Sequence, residues 1–485
     1  MKAAFNRLFA FFETDKWKKV LVWVTLFAFI IYFFIAISAY ADWFPKSTRF
    51  FVYSSTSGKV LRAFISVLII GVGLLTIFTY RSKIKYHWMI VFGLLLIFNL
   101  ISVIITPTTV YCLYKQTVLY PFLSSIEVSV STFDIILGFF SFLVDIVFGY
   151  MLIFVYPLAF RKRTFIVLLS LFLLVMFYSF FYSFIKEREY YKYFFSGNWT
   201  YQVESIGSIF NNKQQWGIFL SAVLPSSCLL AYIVYLTKLK KPFKIGFYIF
   251  GFVCSVLSLL CSTVSFCKTA IICNILFIII LFIFFLIYLF FSRKNKKLSI
   301  ILFVLFAIVL IIILLFFIVP SLKETKIGKL LENLLSSLIS RGEVGAESRL
   351  ELVVRTLENF PSINFFIGVP KGMFDYYAKG LLPELPNGLH TGLAIFFGRT
   401  GIFGIVVYFL INVLIISNIV KIFRSNKLIG GVLFGSFVVS FVLNLSELEI
   451  LVLSSSMNVF VLNIVVVLFS SYYVRKDEEN EKIDI

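Results

Sequence analysis

The chain has 485 residues, of which 60% are hydrophobic and only 14% charged, with a mean hydropathy of +0.99. A soluble domain carries about 25% charged residues to hydrate its surface, so this composition excludes a soluble globule and describes a polytopic membrane protein. The net charge of +20 would suit nucleic acid if it were concentrated in one patch, but it is spread through every second loop and argues against that partner.

A spanning helix needs about 20 apolar residues, and that length predicts about twelve spans, beginning near positions 20, 60, 87, 133, 164, 216, 245, 270, 298, 391, 428 and 450. The expected fold class is therefore all-α, a polytopic integral membrane protein with one large extracytoplasmic loop. The basic residues alternate with the spans. They form the groups Lys16, Lys18 and Lys19; Arg81, Lys83 and Lys85; Arg161, Lys162 and Arg163; and Lys238, Lys240, Lys241 and Lys244. The series continues with Arg293, Lys294, Lys296 and Lys297, then Lys421, Arg424 and Lys427, and closes at Arg475 and Lys476. Positive charge marks the cytoplasmic side, so both termini are expected in the cytoplasm and the loops near 42–58, 106–131, 186–215 and 319–389 outside.

In chain order, Ala39, Tyr40 and Ala41 mimic a signal-peptidase site after the first apolar run, but that run exceeds the roughly 15 residues of a signal-peptide core and is read as a retained span. The fourth span carries Asp134 and Asp145, which fall within about 20° of one helix face; such carboxylates are typical of ion-coupled transporters. Asn211, Asn212, Lys213, Gln214 and Gln215 form a dense hydrogen-bonding cluster before the span that starts at Trp216. It serves either as a polar loop end or as a cradle for sugar or phosphate. Lys268 is the only charge between Ile245 and Phe291, where two spans meet in a tight outward turn. Its ammonium either snorkels to the headgroups or faces a ligand. The six cysteines, Cys112, Cys228, Cys254, Cys261, Cys267 and Cys273, contain no CxxC pair and support neither a disulfide framework nor a zinc site.

Residues 1–320 thus read as an N-terminal transmembrane region of about nine spans, and 321–389 as an extracytoplasmic catalytic loop. Residues 390–476 form a C-terminal region of about three spans, and 477–485 an acidic cytoplasmic tail expected to be disordered. Within the loop, Ala346 to Phe360 predicts an amphipathic helix ended by Pro361. The loop also carries Arg341, Arg349 and Arg355. Those guanidinium groups either rest on the outer membrane surface or grip a diphosphate, whose oxygens match the arginine fork. His390 is one of two histidines and stands where the chain re-enters the membrane, as an interfacial polar residue or as a base titrating near neutrality. The other, His87, sits beside Lys85 on the cytoplasmic edge. Arg399 is expected on the opposite face of a continuous helix from His390, and Gly398, Gly401 and Gly404 on that helix favour close packing.

Three stretches resemble the O-antigen ligase and polymerase superfamily, which holds the Wzy-type polysaccharide polymerases and WaaL-type ligases. They are Ser208-Ile-Phe-Asn-Asn-Lys-Gln-Gln-Trp-Gly217; Ser348-Arg349-Leu-Glu-Leu with Asn359-Phe-Pro and Ile367-Gly-Val-Pro-Lys-Gly372; and Leu389-His390-Thr391 followed by Arg399-Thr-Gly401-Ile-Phe-Gly404. The chain departs from the family pattern in having Cys267-Lys268 where a Ser-Arg pair is usual, and Thr391 where Asn follows the histidine. The resemblance implies a GT-C-like, metal-independent, inverting glycosyltransferase without a cofactor, in the bacterial cytoplasmic membrane. Its implied partners are an undecaprenyl-diphosphate-linked glycan donor and acceptor, membrane lipid, a flippase and a chain-length regulator, with no nucleic acid. His390 would act as base on the acceptor hydroxyl, and Arg349 and Lys268 would stabilise the departing lipid diphosphate. Arg355, Arg341, Asn211, Asn212 and Gln214 would bind substrate. Polymerisation of repeat units is the activity expected; transfer of finished glycan by a ligase, or flipping of a lipid-linked oligosaccharide, is the alternative.

Overall fold

The structure is a computed structural model that describes residues 10–38, 56–106, 108–115, 123–196, 206–210, 213–265, 267–291, 300–301, 304, 324–325, 329, 362–374, 392–446 and 457–481. Among the described residues, nine helices are long and apolar enough to cross a membrane. They confirm a helical polytopic membrane protein. The span expected from position 298 and the amphipathic helix expected over 346–360 lie almost wholly outside the described residues.

The elements are α1 (Asp15–Ser38), α2 (Thr56–Thr79), α3 (His87–Ile105), a hairpin of β1 (Thr109–Lys115) and β2 (Leu123–Ser129), α4 (Thr132–Phe154) and α5 (Lys162–Lys186). They continue with α6 (Arg188–Ser196), α7 (Lys213–Ser221), α8 (Val223–Tyr235), α9 (Lys241–Val264), α10 (Lys268–Phe291), α11 (Ser362–Ile367), α12 (Gly392–Ser425) and α13 (Lys427–Ser446). The last are α14 (Met457–Leu462), a π-helical turn (Asn463–Leu468) and α15 (Phe469–Glu481). The two strands pair antiparallel, with Cys112 opposite Ile126, in the connection between α3 and α4. The acidic segment expected to be disordered is helical as far as Glu481. Adding a residue to an existing helix carries no nucleation cost, and that outweighs the charge of Asp477 to Glu479.

The helices begin where local chemistry allows. Ser131 caps α4, its hydroxyl accepting the Asp134 N–H at 3.1 Å, and Pro242 opens α9 at a position whose N–H would have no helical partner. At the far end of α4, Arg475 donates to the Phe154 carbonyl at 2.6 Å, placing a cation at a helix C-terminus. The core runs through α5, α7, α8 and the π turn, where Phe165, Phe172, Trp216 and Leu468 are fully enclosed. Ile90, Ile104, Phe133, Val67 and Phe252 point outward, as a lipid-facing surface requires.

Polar side chains join helices across this apolar body. Tyr156 donates to the Ile69 carbonyl at 2.9 Å, Ser258 to the Leu220 carbonyl at 3.0 Å and Asn444 to the Tyr408 hydroxyl at 2.6 Å. Between membrane helices such bonds contribute about 0.6 kcal/mol each on average. The short connection from α4 to α5, the pairing of α3 with α4 and the bond from Asn99 to the Arg399 carbonyl place the end of α3 and the start of α4 at the same end of the bundle as the end of α5 and the start of α12. By the charge pattern this is the end expected to face outward.

Candidate functional site

At that end α12 is not continuous. Gly401 adopts φ 60° and ψ −162°, a region that only glycine occupies without strain. The break takes the i+4 donors away from nearby carbonyls, which in a hydrocarbon surrounding need new partners. Both replacements come from elsewhere in the chain. The Val369 N–H donates to the Gly398 carbonyl at 2.8 Å, and the Asn99 side chain donates to the Arg399 carbonyl at 3.1 Å. Gly398 and Gly401 were both expected to favour helix packing. Gly398 does so, lying against the Phe374 ring, whereas Gly401 is the break itself, its Cα face closed by the Phe366 backbone.

Val369 reaches the break because the end of the large loop folds into the bundle. After α11 the chain turns through Gly368, at φ +74°, whose carbonyl accepts the Ser102 hydroxyl at 2.8 Å. A helical turn then starts at Pro370, which accepts from Met373 and Phe374. Gly372 and Gly138 pack backbone to backbone, and a Cβ on either would overlap the other's chain. Lys371 extends along α4, donating to Ser141 at 2.9 Å and to Asp145 at 2.7 Å. The carboxylate is buried and the ammonium half-buried, with side-chain exposures of 9% and 18%. Asp145 lies about 20 Å along α4 from Thr132 at the helical rise, so the loop sends a charge deep into the apolar region. The Arg399 guanidinium lies over the Phe374 ring, 6.0 Å from its centroid.

A second constellation holds the chain just before the Asn-rich cluster. The Glu187 carboxyl, just past the end of α5, accepts the N–H groups of Gly207 at 3.1 Å and Ser208 at 3.2 Å and the Ser183 hydroxyl at 2.5 Å. Ser208 is buried with φ 51°, a conformation that costs a non-glycine residue energy and persists only where surroundings impose it. Its hydroxyl donates to the Ser179 carbonyl at 2.6 Å. Burial pushes the Glu187 carboxyl above its ordinary range, against the opposing hydrogen bonds and the Lys186 charge.

Of the residues singled out from sequence, Lys268 opens α10 with its ammonium buried, and Gln214 lies in the first turn of α7. The structure brings these two helix starts together, since Gly217 packs against the Cys267 sulfur. Asn211, Asn212, Arg341, Arg349, Arg355 and His390 lie outside the described residues. In the chain, Ser208 to Phe210 and α7 flank the asparagines, and α12 starts two residues after His390. Asp134 and Asp145 part company, Asp134 taking the Ser131 hydroxyl at 2.7 Å and Asp145 taking Lys371. The sequence reading missed Lys371 and Glu187. For Lys371 the available signal was the apolar run Phe365-Phe366-Ile367 directly before the glycine turn, unusual in a loop bathed in water.

No protein-family model matches the chain, and no curated protein matches it.

Two expectations follow from this geometry. Gly401→Ala puts a Cβ into the Phe366 backbone at a positive φ, and a thermal unfolding series in detergent should show a loss of about 1–3 kcal/mol from the strain. An unchanged midpoint would mean that the break does not depend on glycine. For Glu187 the folded protein binds the proton more tightly than the unfolded chain. Its contribution is therefore complete below the ordinary carboxyl range and is lost as pH rises through the raised folded value. Glu187→Gln should flatten the fall of the unfolding midpoint across that window, and an identical slope in both proteins would contradict the assignment.

Proposed function

We propose that the protein is a membrane glycosyltransferase that polymerises undecaprenyl-diphosphate-linked repeat units on the outer face of the cytoplasmic membrane, with twelve spans in a GT-C-like arrangement. The observation that carries this reading is the seating of residues 362–374 between α3, α4 and the broken α12. A loop held in the apolar layer at a point between its chemistry-bearing residues suits a substrate whose lipid tail stays in the bilayer while its sugars lie in water. The short motifs around Ser208, Arg349 and His390 support the same reading.

In the proposed step an acceptor hydroxyl gives its proton to His390 as its oxygen bonds to the anomeric carbon of the donor glycan. The bond from that carbon to the lipid diphosphate breaks, and the diphosphate leaves with the electron pair. Lys268 and Arg349 stabilise the charge that develops on the leaving group, with Arg355 and Arg341 as further diphosphate contacts. Asn211, Asn212 and Gln214 hold sugar or phosphate oxygens. Preorganised groups aimed at developing charge contribute about 3–4 kcal/mol each in well-studied sites, and proton transfer about 10²–10⁴ in rate.

A discontinuous helix and a buried carboxylate are also transporter features, so a lipid-linked oligosaccharide flippase is the second reading. One experiment separates the readings: the length distribution of carrier-linked and surface glycan in cells whose only copy carries His390→Ala, with protein level followed by blot. The polymerase reading expects single repeats at the outer face and loss of the long ladder. Full-length chains stranded on the carrier would instead indicate a ligase, and repeats trapped inside the cell a flippase. An unchanged ladder would remove His390 as the base.

A further inference from the structure

The Lys371–Asp145 pair is a poor way to stabilise this fold. Two charges taken out of water lose hydration that their mutual attraction often fails to repay, and apolar residues of similar size in their place are frequently neutral or stabilising. The pair must therefore be explained by what it specifies. Apolar residues would let the chain slide along α4 with little change in energy, whereas an ammonium with one carboxylate partner in an apolar surrounding fixes a single register. Here the partners are at 2.7 Å, with Ser141 adding a second acceptor at 2.9 Å. Backbone contact between Gly372 and Gly138 beside it makes the same register sterically unique.

That register sits between the groups assigned to the chemistry. Arg341, Arg349 and Arg355 precede the seated segment, and His390 follows it before α12 begins. In chain order, residues 362–374 are thus a fixed point between the arginine-bearing part of the loop and the histidine-bearing part. The geometry points to Lys371 and Asp145 as positioning residues for the transfer reaction: they lock residues 362–374 to one depth on α4, at a point in the chain between the residues assigned to the diphosphate and the residue assigned as base. Neither touches substrate in this account. The inference rests on the glycosyl-transfer reading for its consequence in rate, but the seating itself can be measured without any activity.

Met373 supplies that measurement, because it is fully buried two residues from Lys371. Met373→Cys would be labelled with a bulky, membrane-impermeant maleimide in intact protein, first alone, then with Lys371→Met, and then with Lys371→Arg, with the protein lacking Met373→Cys as the background. The thiol should be protected when the pair is intact, labelled when Lys371 is Met, and protected again when it is Arg. In cells, Lys371→Met made at normal level should lower long-chain glycan by about 100-fold, the scale expected of a misplaced catalytic group, and Lys371→Arg should restore it. Should Lys371→Met fail to accumulate, the double change Lys371→Met with Asp145→Leu removes both charges; it should fold and still fail to elongate glycan. A protected thiol in Lys371→Met would overturn the seating role. Normal ladders from an unseated variant or from the double change would overturn the positioning role. If deletion of the whole protein leaves the ladder unchanged, the transfer reading itself fails, and the labelling pattern alone then decides whether the pair seats the loop.

Discussion

A backbone carbonyl freed inside an apolar layer has no water to turn to, and the break in α12 at Gly401 frees carbonyls at the point where the large loop meets the bundle. The structure answers with the Val369 N–H and the Asn99 side chain, donating at 2.8 and 3.1 Å. Everything described at this end of the molecule depends on that exchange. It requires the loop to enter the bundle, and entry requires glycines at 368, 372 and 401 for close approach and a polar anchor for Lys371. Breaking the helix and seating the loop are therefore one structural event, since neither would be satisfied without the other.

The consequence for chemistry lies in what is held on either side. α12 begins two residues past His390 in the chain, and its first turns are tied to α3 and to the seated loop. The segment just before the Asn-rich cluster is held in the same manner by a half-buried carboxyl, Glu187, that accepts two backbone N–H groups and imposes a left-handed serine. The proposed transfer between two lipid-anchored glycans would need such anchoring, since the acceptor hydroxyl and the anomeric carbon must meet at a membrane edge where water competes.

Much of the architecture was legible from hydropathy and charge, because a run of about 20 apolar residues has one stable outcome in a bilayer. The helices beginning at His87, Thr132, Lys162 and Lys427 follow the predicted starts to within a few residues. The interruption of α12 was not legible. The Gly398, Gly401 and Gly404 spacing reads as a packing motif, and only the approach of Phe366 distinguishes a glycine that breaks a helix from one that packs. Asp145 was visible as an intruding acid, but its partner lies 226 residues away in the chain, and no local pattern announces a pair at that separation. Glu187 was hidden for a similar reason, since an acid at the end of a span looks like any hydrated loop residue until the backbone it receives is seen.

The central claim is best tested with purified protein in liposomes supplied only with lipid-diphosphate-linked repeat units and a chelator. The account predicts glycans of increasing length on the carrier together with release of free lipid diphosphate, one for each linkage formed, and the loss of both with His390→Ala. Intact, correctly oriented protein that neither elongates the glycan nor releases lipid diphosphate would contradict it.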